Sequence, residues 1–229
     1  MPYKSENKDD FPSLLPIFPL SGALLLPGGR LPLNIFEPRY LNLITDSLAS
    51  GRFFGMIQPN LDASRKDNTN LSDLNEPQDL ELYKIGCLGK VVYFEEADDG
   101  RFLIALRGIT RFEVKKELES IRGYRVLDVS YNSYLNDKKP EVTFEYDRES
   151  LFDILPNYLD AQGLKLSLDA IEALSDLDLI ITLSMICPFN GREKQALLEC
   201  NNSTDRSEML LALLQMGVFG NSDNDEIFQ

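Results

Sequence analysis

A chain of 229 residues with 43% hydrophobic side chains is long enough for one large core or two smaller ones, and too apolar to be disordered throughout. Its formal net charge of -14 disfavours nucleic acid and anionic membrane surfaces, because the basic pairs Arg65-Lys66, Lys115-Lys116 and Lys138-Lys139 stand apart, each near acids. The absence of histidine excludes Ser-His-Asp and Cys-His catalysis and any His-based metal site, and three cysteines cannot build a four-thiolate zinc site.

No apolar run reaches the roughly 20 residues of a membrane-spanning helix. The polar, acidic start MPYKSENKDDF is unlike a secretory signal, so a cytoplasmic location is expected. Cys87, Cys187 and Cys200 are odd in number, widely spaced and set among apolar neighbours, which predicts reduced, buried thiols.

Residues 1–12 read as a flexible tail. From residue 13 to about 135 the pattern is mostly β. Leu14–Leu20 is a short apolar strand whose Pro16 and Pro19 predict an edge position or a bulge. Leu24–Pro27 and Leu31–Phe36 flank the turn Gly28-Gly29. Pro38 suits the first turn of a helix that carries Tyr40, Leu43, Ile44 and Leu48 and ends at Gly51. Arg52–Gln58 reads as a buried strand. Residues 59–79, rich in Asn, Asp and Ser, exceed the usual length of a structureless loop and predict a mobile excursion.

Leu82–Phe94 is the next strand. Asp99-Gly100 signals a two-residue hairpin with positive φ at both central positions. Phe102, Ile104 and Leu106 share a face on the returning strand, Ile109–Val114 continues past Gly108, and Tyr124–Val129 follows. Short strands with one inserted helix predict an α+β fold built on a small, curved, partly closed sheet.

Residues 140–217 change to helical spacing. Glu145–Ala161 carries Pro156, which predicts a kink or restart. Leu168–Leu174 makes a short turn. Ser175 with Asp178 opens a nearly all-apolar helix that Pro188 ends. Asn190 with Glu193 forms a capping box, Asp205 with Glu208 is read as a second one, and Gly217 is read as closing the last helix. Residues 218–229 form an acidic tail.

Three blocks of sequence carry a family resemblance. LPIFPL, PGG and LPLNIFEPRY open the chain; IGCLGKVVYFEEADDGRFLIALRGITRFEV follows; YLDAQGL, LSMICPFNGREKQALLE and DRSEMLLALL lie in the helical half. Together they resemble the LON domain, the N-terminal module of ATP-dependent Lon proteases, in its bacterial form without ATPase or peptidase segments. The resemblance implies a PUA-like, pseudo-barrel β subdomain followed by a helical subdomain, and a role in recognising protein substrates. No G-x-x-x-x-G-K-S/T phosphate-binding loop is present.

Candidate residues for gripping a peptide or partner are Phe36, Glu37, Arg39, Tyr40, Arg107 and Arg111. Glu37-Pro38-Arg39-Tyr40 offers charge and an aromatic edge, although a plain helix entry is the favoured account: an acid near the helix N-terminus, Pro in the first turn, and Arg39 paired locally. Arg107 and Arg111 bracket Gly108 and have the fork geometry to hold a carboxylate. The Glu95-Glu96 and Asp98-Asp99 pairs sit at a solvated hairpin tip, where nothing raises a pKa for acid catalysis. The expected function is a non-catalytic module that binds unfolded or partner protein segments, with no cofactor, no metal and no nucleic acid. Its alternatives are a hydrolase with an unrecognised site and a small-molecule-binding module.

Overall fold

The computed structural model describes residues 11–61, 80–119, 122–139 and 144–225. Most of the segment 59–79, the first ten residues and the last four therefore lie outside the described residues. The chain divides into two compact units with the boundary between Lys139 and Pro140.

Six strands build the first unit: β1 (Leu14–Pro19), β2 (Arg30–Ile35), β3 (Phe53–Ile57), β4 (Ile85–Glu96), β5 (Phe102–Leu118) and β6 (Arg125–Ser130). Their order is β2-β5-β4-β3-β1-β6, and β6 also pairs with the second half of β5. Because β6 is bonded to β1 on one side and to β5 on the other, the sheet has to curve back on itself. The core inside the curve holds Leu15, Ile17, Ile57, Leu88, Phe112, Leu127, Val129 and Tyr131. The Phe112 ring fits because Gly55 and Gly86 carry no Cβ where it lies.

The prolines of β1 do not place it at an edge; it lies between β3, parallel to it, and β6, antiparallel. The alternation of backbone direction explains how. The Val129 amide donates to the Ser13 carbonyl (2.9 Å), so Ser13, Leu15 and Ile17 face β6, and Pro16 turns its nitrogen toward β3 one residue before that pairing begins. Pro19 faces the β6 side after its last partner, Ile17, has passed. Each missing N–H falls where a neighbour has run out.

Helix α1 (Pro38–Ala49) links β2 to β3 and buries Tyr40, Leu43, Ile44 and Ser47. It ends as expected at Gly51, which has φ of 97°, with the Arg52 amide reaching back to the Ser47 carbonyl (2.7 Å). Asp46 on its outer side accepts from Arg122 and Tyr124, each at 2.7 Å, which fastens the helix to the approach to β6. Leu24, Leu25 and Leu26 are buried but form no strand.

The β4–β5 hairpin is not the two-residue turn expected. Gly100 alone has positive φ, 80°, and the bonds Gly100 amide to Ala97 carbonyl (2.9 Å) and Ala97 amide to Arg101 carbonyl (2.8 Å) define a longer loop with glycine in its left-handed position. Asp99 does not have a positive φ, and it pairs with Arg101 (2.7 Å). Past the hairpin, the segments read as 102–106 and 109–114 form one 17-residue strand. Beyond β6, a 3-10 segment, Asn132–Lys138, packs on β5.

The second unit holds α2 (Arg148–Ala161), α3 (Leu168–Glu172), α4 (Asp176–Ile186), α5 (Gly191–Glu199) and α6 (Ser203–Asp225). Pro156 lies inside one uninterrupted α2, giving up only the bond its N–H would make to the carbonyl of Phe152. Ser175 caps α4 through the Asp178 amide, and the Asn190–Glu193 capping box is complete. The last helix starts earlier than read: Asn202 accepts from the Asp205 amide (2.8 Å), so Asn202, not Asp205, supplies the cap.

Gly217 does not close α6, which continues to Asp225. Its role is space. A Cβ there would sit 2.5 Å from Cε2 of the Tyr158 ring on α2. Alanine at an ordinary helical glycine gains about 1 kcal/mol. Gly217→Ala is instead expected to lose about 1–2 kcal/mol, as overpacking does. A urea midpoint that rises on this substitution would show that glycine is not needed for the packing.

Candidate functional site

The register of β2, β5 and β4 decides which side chains share the outer face of the first unit. Arg30 is opposite Arg107, Pro32 opposite Ala105, and Asn34 opposite Leu103. Across β5 the same face continues with Lys90 opposite Arg107, Tyr93 opposite Ala105 and Glu95 opposite Leu103, after a bulge between Val91 and Tyr93. By the same alternation Phe36, two positions on from Asn34 and one past the end of β2, is assigned to this face. Phe36 is 65% exposed, Tyr93 51% and Leu103 37%. Three large apolar side chains thus stand open on one surface, beside a row of three cations. The Tyr93 hydroxyl donates to Glu95.

β2 ends the strand order, so its far side is an open edge among the described residues. The Gly108 amide donates to the Gly29 carbonyl (2.9 Å). That bond sets the alternation, with Leu31, Leu33 and Ile35 facing β5 and Pro32 turning its nitrogen to the open edge. A strand added there would find no donor at its midpoint. The side-chain face, rather than the backbone edge, is the accessible feature.

The six residues singled out from sequence fall into three settings. Phe36 and Arg107 lie on this face, both exposed. Glu37, Arg39 and Tyr40 form a local cluster at the start of α1: Arg39 pairs with Glu37 (2.6 Å) and lies 4.6 Å over the Tyr40 ring, which packs edge-on against Phe18. Burial raises the Tyr40 pKa above its ordinary value. This is the helix entry described above, with Arg39 neutralised by its neighbour. Arg111 is only 5% exposed. It does hold a carboxylate with both arms of its fork, but the carboxylate is internal: Asp137 accepts from Arg111 Nη2 (2.7 Å), Nε (2.9 Å) and the backbone amide (2.9 Å). Burial works against the guanidinium charge, and the Asp137 bonds override it and raise the pKa. Arg111 therefore presents no free fork to a partner.

Arg30, Lys90 and Asp137 were not visible as site residues in the sequence. The first two become neighbours of Arg107 only once the two hairpin registers are fixed. Asp137 lies 26 positions from Arg111, in a segment with no periodic signal.

A separate cleft of about 450 Å³ lies between the Leu80–Lys84 stretch and the β5–β6 pair, lined in part by Leu82, Tyr83, Lys115, Lys116, Arg125 and Leu127. Arg125 crosses it, bound to Glu117 through both arms (2.6 Å each) and to the Leu80 carbonyl (2.8 Å). Among the described residues that line it there is no serine, threonine or cysteine to be activated by its lysines.

In the helical unit Ser184, Ser207 and Cys187 are sealed or occupied. Ser184 is fully buried and its Oγ bonds to nothing, so it forms no dyad with Lys194. Lys194 donates to the Met185 carbonyl (3.3 Å), and burial lowers its pKa. Ser207 donates to the Thr204 carbonyl (2.7 Å). Burial pushes the Cys187 thiol up to about 12, which leaves it protonated and inert. Among the described residues no cluster of carboxylates and thiols is suited to hold a metal ion, and no helix is long and apolar enough to cross a membrane.

A bent sheet followed by a helical unit is the architecture of solved Lon N-terminal domains. A Lon N-terminal domain protein from Xanthomonas campestris superimposes with a TM-score of 0.56 at 25% identity, over 87% of this chain and 97% of that one. The N-terminal domain of the Mycobacterium avium complex Lon protease shares the fold, with a TM-score of 0.52 at 15% identity over 88% of this chain and 98% of that one. The chain belongs to the ATP-dependent protease La (LON) substrate-binding domain family, whose model matches residues 14–216. Curated relatives include the Lon protease of Cytophaga hutchinsonii, 23% identical over 217 residues, and that of Anaeromyxobacter dehalogenans, 25% identical over 214. These alignments cover 93% and 91% of this chain but 25% and 24% of the relatives, so the chain spans about a quarter of their length.

Proposed function

We propose that this chain is a non-catalytic module that binds exposed segments of other proteins and acts in the cytoplasm as an adaptor in proteolysis. The observation that carries this reading is the outer face of β2, β5 and β4. Phe36, Tyr93 and Leu103 stand open there on a rigid sheet, in a chain whose family is described by substrate binding. Side chains held on paired strands lose little freedom when a partner docks, which favours binding. The site offers apolar area and charge, and none of the groups around it has the environment of an activated nucleophile.

The test is the affinity of the full chain for a reduced, alkylated model protein, measured by fluorescence anisotropy. Phe36→Ser combined with Leu103→Ser should weaken binding at least tenfold while leaving the thermal midpoint within a few degrees of wild type. Unchanged affinity in the double variant would refute this face as the site. Peptide cleavage by the purified chain, lost on changing one serine or lysine, would refute the non-catalytic reading.

A further inference from the structure

We infer that the row Arg30, Arg107 and Lys90 is an anion-receiving subsite, and that it selects client segments in which an acidic residue lies about four positions from a large apolar one. This rests on the peptide-binding reading above and deepens it.

The row has a cost that the fold alone does not explain. Like charges directly opposite on paired strands are destabilising. Arg30 and Arg107 form a non-hydrogen-bonded pair, the kind in which side chains come closest, and Lys90 faces Arg107 from the other side. The chain has 37 acidic residues against 23 basic ones, so carboxylates are plentiful. Seven other cations, Arg39, Arg101, Arg111, Lys115, Arg122, Arg125 and Arg148, each reach a carboxylate. Among the described residues the three cations of the row reach none. Lys90 instead lies 5.4 Å over the ring of Phe53, its neighbour on β3.

The occupant follows from charge and spacing. A polyanion such as nucleic acid meets the field of the whole chain, at -14, with only three cations to offset it. A short acidic segment carries one or two charges, and at physiological salt only the nearest charges act on it, because screening has a length of about 8 Å. Arg107 and Leu103 are four residues apart on the same face of β5, about 13 Å at the rise of a strand. An extended peptide spans that distance in the same number of residues. With one carboxylate on the Arg30–Arg107 pair, its apolar residue falls beside Leu103 and Tyr93, with Phe36 beyond. The open-edge nitrogen of Pro32 keeps the peptide on the face instead of the edge.

The experiment uses the full chain and three labelled peptides that share a phenylalanine and differ only four positions away, in an Asp pair, a Ser pair or a Lys pair. The Asp peptide should bind at least tenfold more tightly than the Lys peptide, with an advantage that shrinks at high salt. Arg30→Glu with Arg107→Glu should reverse the order, and Arg107→Gln should remove most of the preference. The reversal keeps one like-charge pair between β2 and β5 and gains an attraction to Lys90, so the thermal midpoint should stay within a few degrees of wild type. Phe36→Ser should weaken all three peptides alike. Equal affinities for the three peptides would overturn the inference and leave the peptide-binding reading standing. A short DNA strand that binds as tightly as the Asp peptide and displaces it would overturn it in favour of a phosphate site. No binding of any peptide would remove both.

Discussion

Asp137→Ala should destabilise the first unit by about 3–5 kcal/mol, the usual consequence of stranding a buried charge. Arg111 would keep its guanidinium in the interior without a counter-ion, and its own backbone amide would lose its acceptor as well. The same carboxylate holds the 3-10 segment against β5, where Tyr134 lies under the guanidinium at 4.5 Å and its carbonyl accepts from Thr110 (3.2 Å). The measurement is urea unfolding of the full chain, read from the transition of the β unit. Arg107→Ala, four residues away on the solvent side, should change stability by less than about 0.5 kcal/mol. The contrast between two arginines of one strand is the sharper test. If Asp137→Ala costs under about 1 kcal/mol, the pair is not the fastening described here. The double change Arg111→Met with Asp137→Leu should recover part of the loss, since apolar replacements remove the desolvation penalty along with the attraction but do not replace the carboxylate that the backbone amide used.

Gly108→Ala should be comparably damaging, at about 3 kcal/mol or more, because the added carbon has backbone in its way. A Cβ at position 108 would fall well inside contact distance of the Leu26 carbonyl and 3.3 Å from Leu25 Cγ. A flexible side chain can swing aside from such a clash; a carbonyl in a buried turn cannot. Gly108 also bonds twice to the Gly28-Gly29 turn, donating to Gly29 and accepting from Gly28 at 3.0 Å. Relief would require the Leu24–Leu26 segment, which is fully buried, to move away from β5. Gly100→Ala is the control. It has φ of 80° but open space around it, so its loss should be near 1 kcal/mol. A thermal midpoint for Gly108→Ala equal to that of Gly100→Ala would show that Leu26 yields easily.

Local chemistry made much of this structure legible in the sequence. Pro38, Gly51, Ser175 and the Asn190–Glu193 pair act through neighbours three or four residues away, and each does what its type predicts. Legibility fell where the deciding partner is remote. Whether a proline strand sits at an edge depends on where its neighbours start and stop, which β1 alone does not reveal. Gly217 looks like a terminator from its own helix and is a spacer for a ring on another. At the hairpin, Asp-Gly correctly marked the turn, but the bond from Gly100 back to Ala97 lengthened it. Of the candidate site, Phe36 and Arg107 were legible as accessible residues. Arg111, of the same type and four positions on, is set apart by the register shift between Gly108 and Thr110 and by Asp137 and Tyr134, both remote in sequence. The cationic row required three strands in register, a property no single segment carries.

The place of β1 has a consequence for how the protein is made. Its partner β6 is the last strand of the sheet, and the Tyr131 hydroxyl bonds back to the Pro12 carbonyl across 119 positions. A ribosome adding about 5–20 residues per second needs on the order of ten seconds to cover that interval. Throughout it, Leu15 and Ile17 have left the exit tunnel without the strand that covers them. Vectorial synthesis cannot finish this sheet piece by piece, so the nascent chain displays a greasy ribbon to the cell's holdases until its closing strand emerges.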